Sequence, residues 1–242
     1  MRKKYAVLLL VILILTLCLF SGPYKADGDI APVIDCDDEF DNDTLDPKWS
    51  IVNEENKDGW SLTANPGWVR IATLQGEFLH TPADAQNVLL QKVPAGDWTI
   101  VTKVSGVQGK PKGDWAQAGL IVYQNDDNWF KVVRLYNSFR DDLQTKNFFQ
   151  IGMERGGFWE WYEELAPDDI PSATVYLKLV KRGNEYSGYF SEDGITFTQV
   201  GKAQNLKLTK IKIGLLAFNG CGAYVPESIM DFDFDFFHLA QP

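Results

Sequence analysis

The sequence predicts an all-β fold, two antiparallel sheets packed face to face, and three observations carry that prediction. Apolar and polar residues alternate in segment after segment, and clusters of Gly, Asn and Asp punctuate them. No stretch shows the apolar spacing of an amphipathic helix. Composition allows a full core: 45% of the 242 residues are hydrophobic, 13% aromatic and 23% charged, which excludes disorder and collagen-like repeats.

In chain order, the alternating pairs are Val69/Ile71, Val88/Leu90, Trp98/Ile100/Thr102, Ala118/Leu120/Val122, Phe130/Val132, Val175/Leu177/Leu179 and Ile211/Ile213/Leu215. Each puts every second side chain on one face of a strand. Asn65-Pro66-Gly67 and Asp126-Asp127-Asn128 read as turns. Gly156-Gly157, Gly183-Asn184 and Asp193-Gly194 read as hairpin connections. About a dozen or more strands follow at the spacing of a sandwich. Asn137 to Lys146 is expected as a polar loop, followed by an aromatic-rich hairpin from Phe148 to Leu165.

Arg2-Lys3-Lys4 followed by the apolar run Ala6 to Phe20 has the layout of a secretory signal, with cleavage expected near Ala26. That gives a signal over 1–26, a spacer over 27–36 and a sandwich over 37–242, secreted or displayed at the cell surface. Fifteen apolar residues are short for a bilayer span, which needs about 20. An uncleaved anchor is the other reading, and the only expected membrane contact. Residues 27–242 hold 19 basic against 33 acidic residues, a surface that repels phosphate backbones, so nucleic acid is excluded as a partner. Cys36 and Cys221 would remain after cleavage, as a disulfide between the chain ends or as two thiols.

Asp38-Glu39-Phe40-Asp41, Leu45-Asp46-Pro47-Lys48-Trp49, Trp60-Ser61-Leu62-Thr63 and Pro66-Gly67-Trp68-Val69-Arg70-Ile71 carry a family likeness. So do Asn87 to Lys92, Ala118 to Tyr123, Ser191-Glu192-Asp193-Gly194 with Phe197, and the closing Asp231 to Phe237. Together they resemble the concanavalin A-like β-sandwich at the C-terminus of glycoside hydrolase family 43 β-xylosidases. A related family of stand-alone sandwiches of unsettled function shares the central and closing motifs. The resemblance implies a jelly roll of two antiparallel sheets in a sugar-handling context. The propeller that carries chemistry in those xylosidases is not expected in these residues, so catalysis by them would have to come from the sandwich.

Sandwich glucanases of this fold class use a Glu-x-Asp-x-x-Glu strand, and that pattern does not occur. Glu160 and Glu164 would share a face with Tyr162 between them, and Glu154 lies earlier in the same hairpin. His80 and His238 stand apart from any Ser or Cys nucleophile pattern. The Asp231/Asp233/Asp235 ladder leaves Phe232, Phe234 and Phe236 facing the core and needs compensation. One source is a structural Ca²⁺ held by some of Asp38, Asp41, Asp233 and Asp235, as in many sugar-binding sandwiches. The other is Lys210 and Lys212 on the preceding strand.

Of the eight Trp, Trp49, Trp60 and Trp98 read as core or edge packing, while Trp115, Trp129, Trp159 and Trp161 read as ligand candidates. Gln117 and Tyr123 lie opposite Ala118, Leu120 and Val122, and Lys131 opposite Phe130 and Val132. Arg134 falls out of that pattern, which suggests a bulge or face switch. Gln150 and Glu154 share a face in the next strand. With Trp159 and Trp161 these form an expected concave saccharide patch, since rings stack on sugar C–H faces and polar groups bond the hydroxyls. Three functions follow: an oligo- or polysaccharide-binding module without catalysis, a glycoside hydrolase or lyase pairing Glu154 with Glu160 or Glu164, and a protein-interaction sandwich.

Overall fold

The computed structural model describes residues 34–54, 59–78, 84–106, 115–137, 147–166, 173–220 and 229–242, with backbone alone at 159–162. The signal, most of the spacer, His80, Cys221 and the loop 138–146 lie outside the described residues. Among these residues no helix is long and apolar enough to cross a membrane.

Fourteen strands are described. They are β1 (Ser50–Val52), β2 (Trp60–Ser61), β3 (Val69–Ala72), β4 (Val88–Lys92), β5 (Trp98–Gly106), β6 (Trp115–Asn125) and β7 (Asn128–Asn137), then β8 (Asn147–Arg155), β9 (Phe158–Leu165), β10 (Thr174–Arg182), β11 (Glu185–Ser191), β12 (Thr198–Asn205), β13 (Lys212–Asn219) and β14 (Asp231–Ala240). They form two seven-stranded antiparallel sheets. Sheet I has the order β1-β4-β13-β6-β7-β8-β9, and sheet II the order β12-β11-β10-β5-β14-β3-β2.

The alternating apolar sets meet between the sheets. Ala118, Leu120, Val122, Phe130, Val132 and Ile151 of sheet I pack with Ile100, Val104, Val175, Leu177, Leu179 and Phe232 of sheet II. Gly188 on β11 marks a close approach of the sheets: a Cβ there would lie 2.5 Å from Ile151 Cγ2 and 2.8 Å from Val132 Cγ2. The expected hairpin turns join β8 to β9, β10 to β11 and β11 to β12, with Gly156, Gly183 and Gly194 at positive φ.

The chain ends meet: Asp38 bridges Phe237 through two backbone hydrogen bonds of 2.9 and 2.8 Å. Cys36, assigned to the spacer by sequence, instead belongs to the core; it is a buried free thiol whose Sγ lies 3.5 Å from the Lys92 carbonyl. Burial pushes its pKa up to about 11. The expected inward placement of Phe236 is also corrected. A bulge between Phe234 and Phe237 shifts the register of β14 on β5, so Phe237 fills the core position. Phe236 turns outward, 4.2 Å from the His238 ring.

Candidate functional site

The strands β6, β7, β8 and β13 stand side by side at the centre of sheet I, so their second faces form one continuous outer surface. An apolar cluster covers much of it: Leu90, Ile121, Val133, Phe148, Leu216 and Phe218 are all buried. Phe78, from the segment after β3, lies over this face with its ring 5.8 Å from Trp129 and 5.6 Å from Phe218.

Hydrogen-bonded polar pairs are set into that cluster. Lys131 Nζ donates to Gln117 Oε1 at 2.6 Å and sits 4.8 Å above the Phe218 ring and 5.4 Å from that of Trp129. Trp129 Nε1 donates to Glu154 Oε2 at 2.9 Å, across the register pair Trp129↔Glu154. Gln150 Nε2 donates to Glu164 Oε1 at 3.2 Å, again directly across a strand pair. Both charged members are almost fully enclosed, Glu154 at 0% and Lys131 at 4% exposure. Charges this far from water persist only when hydrogen-bonded or paired. Tyr123, half-buried at the end of β6, donates to Asp126 at 2.5 Å; burial and then that bond push its hydroxyl pKa up.

The structure thus brings Gln117, Tyr123, Trp129, Lys131, Gln150 and Glu154 to one face, but it does not bring Arg134 there. The register of β7 with β6 and β8 is unbroken through residues 129–134, so Arg134 takes the same side as Phe130 and Val132. It is 2% exposed and its Nη1 donates to the Ala173 carbonyl at 2.5 Å. Burial lowers its pKa to about 10, with Glu192 opposing. Trp159 pairs in register with Glu154 and Trp161 with Met153, because a bulge falls between them. That bulge also breaks the expected even spacing of Glu160 and Glu164.

The Asp ladder finds its counter-charge elsewhere than expected. Asp233 accepts from Arg70 Nε and Nη2 at 2.7 and 2.8 Å, and from Asn65 at 3.0 Å. Asp231 lies 3.3 Å from Arg70, and Asp235 accepts from Lys103 at 2.7 Å. Lys210 and Lys212 do not take part, because β13 belongs to sheet I while β14 lies between β3 and β5 of sheet II. Asp38 accepts from Trp49 Nε1 at 2.7 Å and from the Phe40 amide at 2.9 Å. Among the described residues no three His, Cys, Asp or Glu side chains converge as a metal site.

Alternation in the sequence identified the polar members of the outer face but missed Phe78, Phe148 and Phe218. The signal for Phe218 was present: the near-continuous apolar run Ile213 to Phe218 marks a strand buried on both faces.

Residues 37–225 match a family described as the beta xylosidase C-terminal concanavalin A-like domain. A xylan 1,3-beta-xylosidase from a Vibrio species is 24% identical over 84% of this chain and 37% of its own length. Among solved structures, a mutant of the GH43 protein BlXynB from Bacillus licheniformis superposes with a TM-score of 0.71 at 20% identity, over 85% of this chain and 39% of that one. A functionally unknown protein from Saccharomyces cerevisiae has a TM-score of 0.59 at 15% identity, over 81% of this chain and 97% of its own. The chain therefore spans under half the length of the xylosidases it resembles. By this match and by its two-sheet architecture, the chain belongs to the family of β-xylosidase C-terminal concanavalin A-like domains.

Proposed function

We propose that this chain is an exported carbohydrate-binding module that holds an oligo- or polysaccharide over the outer face of sheet I without cleaving it. The observation that carries the reading is a pair of buried hydrogen bonds, Gln117–Lys131 and Trp129–Glu154, that brace this face from beneath, with Trp115 and Tyr123 half-buried at its surface. Its geometry is fixed before any ligand arrives, and such preorganisation is what sugar recognition needs. Tyr123, Gln150 and Glu164 border it, and Trp159 stands in register with Glu154. The relatives named as xylosidases make a saccharide the natural partner class.

The glycosidase reading that pairs Glu154 with Glu164 fares worse on distance. Glu164 is opposite Gln150, four residues along β8 from Glu154, so the two backbones stand roughly 13 Å apart at about 3.4 Å per residue. Their carboxylates are tied to Gln150 and Trp129 respectively, whereas hydrolysis wants a pair about 5–9.5 Å apart.

Retention and reducing-end release on a panel of plant and microbial polysaccharides test the proposal together. Retention without release is expected, lost in Trp159→Ala. Sugar release abolished in Glu154→Gln would make the chain an enzyme. No retention on any polysaccharide would leave the interaction reading.

A further inference from the structure

The outer face of sheet II carries two lysines in matched settings, and only one of them is neutralised. Lys103 on β5 stands 4.9 Å above the Trp68 ring and is paired with Asp235 at 2.7 Å. Lys178 on β10 stands 3.9 Å above the Phe197 ring and 4.6 Å above that of Tyr189. Among the described residues no carboxylate pairs with it. Burial alone depresses its pKa, with no acidic neighbour raising it. In a chain of formal charge −10, a half-buried cation left without an acid is out of place as surface solvation.

The surroundings of Lys178 are built rather than loose. Phe197 follows the turn between β11 and β12, which the Asp193 carboxylate locks by accepting from the amides of Ile195 and Thr196 and from the Ser191 hydroxyl, each at 2.8 Å. Gly194, at φ +73°, lets that turn lie flat on Tyr176, where a Cβ would come within 2.9 Å of the ring. Tyr176 is two residues from Lys178 on the same side of β10, and Tyr189 is directly across from it on β11. Aromatic walls, two phenol hydroxyls and one uncompensated ammonium therefore share one half-exposed patch.

We propose that this patch binds the carboxylate of an acidic sugar, a uronate, with Lys178 as its counter-ion and Tyr176, Tyr189 and Phe197 against the sugar ring. A single cation on so acidic a protein suits a monoanion. A phosphate dianion would leave charge unmatched. The aromatic surround favours a sugar ring over a small inorganic ion. This site lies on the opposite side of the sandwich from the face assigned above, shares no residue with it, and stands or falls separately.

The full chain is titrated with polygalacturonate, with its fully methyl-esterified form, and with dextran sulfate, using wild type, Lys178→Met and Lys103→Met. Wild type is expected to bind polygalacturonate and not the ester. Lys178→Met should weaken that binding about tenfold or more, the loss of one charge-assisted contact. Lys103→Met, which removes the same charge, should retain it. Absence of wild-type binding, equal binding of the ester, equal losses in the two variants, or tighter binding of dextran sulfate would each overturn the assignment. Retention of neutral xylan by Lys178→Met, or its loss in Trp159→Ala, bears only on the other face.

Discussion

The two outer faces of the sandwich solve the same problem in opposite ways. Both are the second faces of seven-stranded sheets whose first faces make the core. On sheet I the outer face is buried, its charges held in hydrogen-bonded pairs among aromatic rings. On sheet II it is half-exposed, its acids lined up against Arg70 and Lys103 at distances that water can still reach. The first arrangement derives its strength from enclosure and the second from charge balance. Stability should therefore be concentrated on sheet I, while sensitivity to charge and pH should be concentrated on sheet II.

The largest expected effect tests that division directly. Trp129→Ala removes a fully buried ring and its bond to Glu154, and should destabilise by about 3–5 kcal/mol in denaturant unfolding. Phe236→Ala, on the outer face of sheet II, should cost about 1 kcal/mol. Similar losses from the two would erase the distinction between the faces. Next in size, Arg70→Gln strips two charge-assisted bonds from Asp233 and leaves three acids with one cation. With Arg70 30% exposed, screening holds the cost to about 1–2 kcal/mol, and added salt should shrink the gap to wild type. A gap that is indifferent to salt would mean packing, not charge, holds that face together.

A smaller effect is expected at the turn beside Lys178. Bonds from the amides of Thr196 and Ile195 and the hydroxyl of Ser191 hold the Asp193 pKa at about 2, below its ordinary 3.8. A carboxyl lowered in the folded state adds stability above pH about 4, and that contribution is lost as pH falls towards 2. Asp193→Asn should flatten the acid limb of a Tm-versus-pH curve while leaving the value at pH 7 only slightly lower. The smallest effect concerns metal. With Arg70 and Lys103 beside the ladder, a chelator should leave Tm unchanged. A fall of several degrees would support calcium held by some of Asp38, Asp41, Asp233 and Asp235.

These contrasts also show what was legible in the chain. Period-two alternation placed Gln117, Tyr123, Lys131, Gln150 and Glu154 on common faces because a pleated strand allows no other arrangement. It equally placed Arg134 with Phe130 and Val132. The structure keeps that parity, against the expectation that a guanidinium must escape the core. Phe236 defeated the same rule, since a bulge is made by the partner strand and leaves no mark in Asp233 to Phe237. The pairing of the ladder with Lys210 and Lys212 was misassigned for a related reason: neighbours in sequence, β13 and β14, lie in different sheets.

By itself the sequence determined that this chain folds as a two-sheet sandwich, where most turns fall and which residues alternate, because local sterics and the pleat act within a few residues. Only the tertiary structure decided which second face is enclosed, which basic groups answer which acids, and that, among the described residues, no acid answers Lys178 on sheet II. Those outcomes depend on segments more than a hundred residues apart, such as Arg70 with Asp233, being brought together by the packing of the whole sandwich.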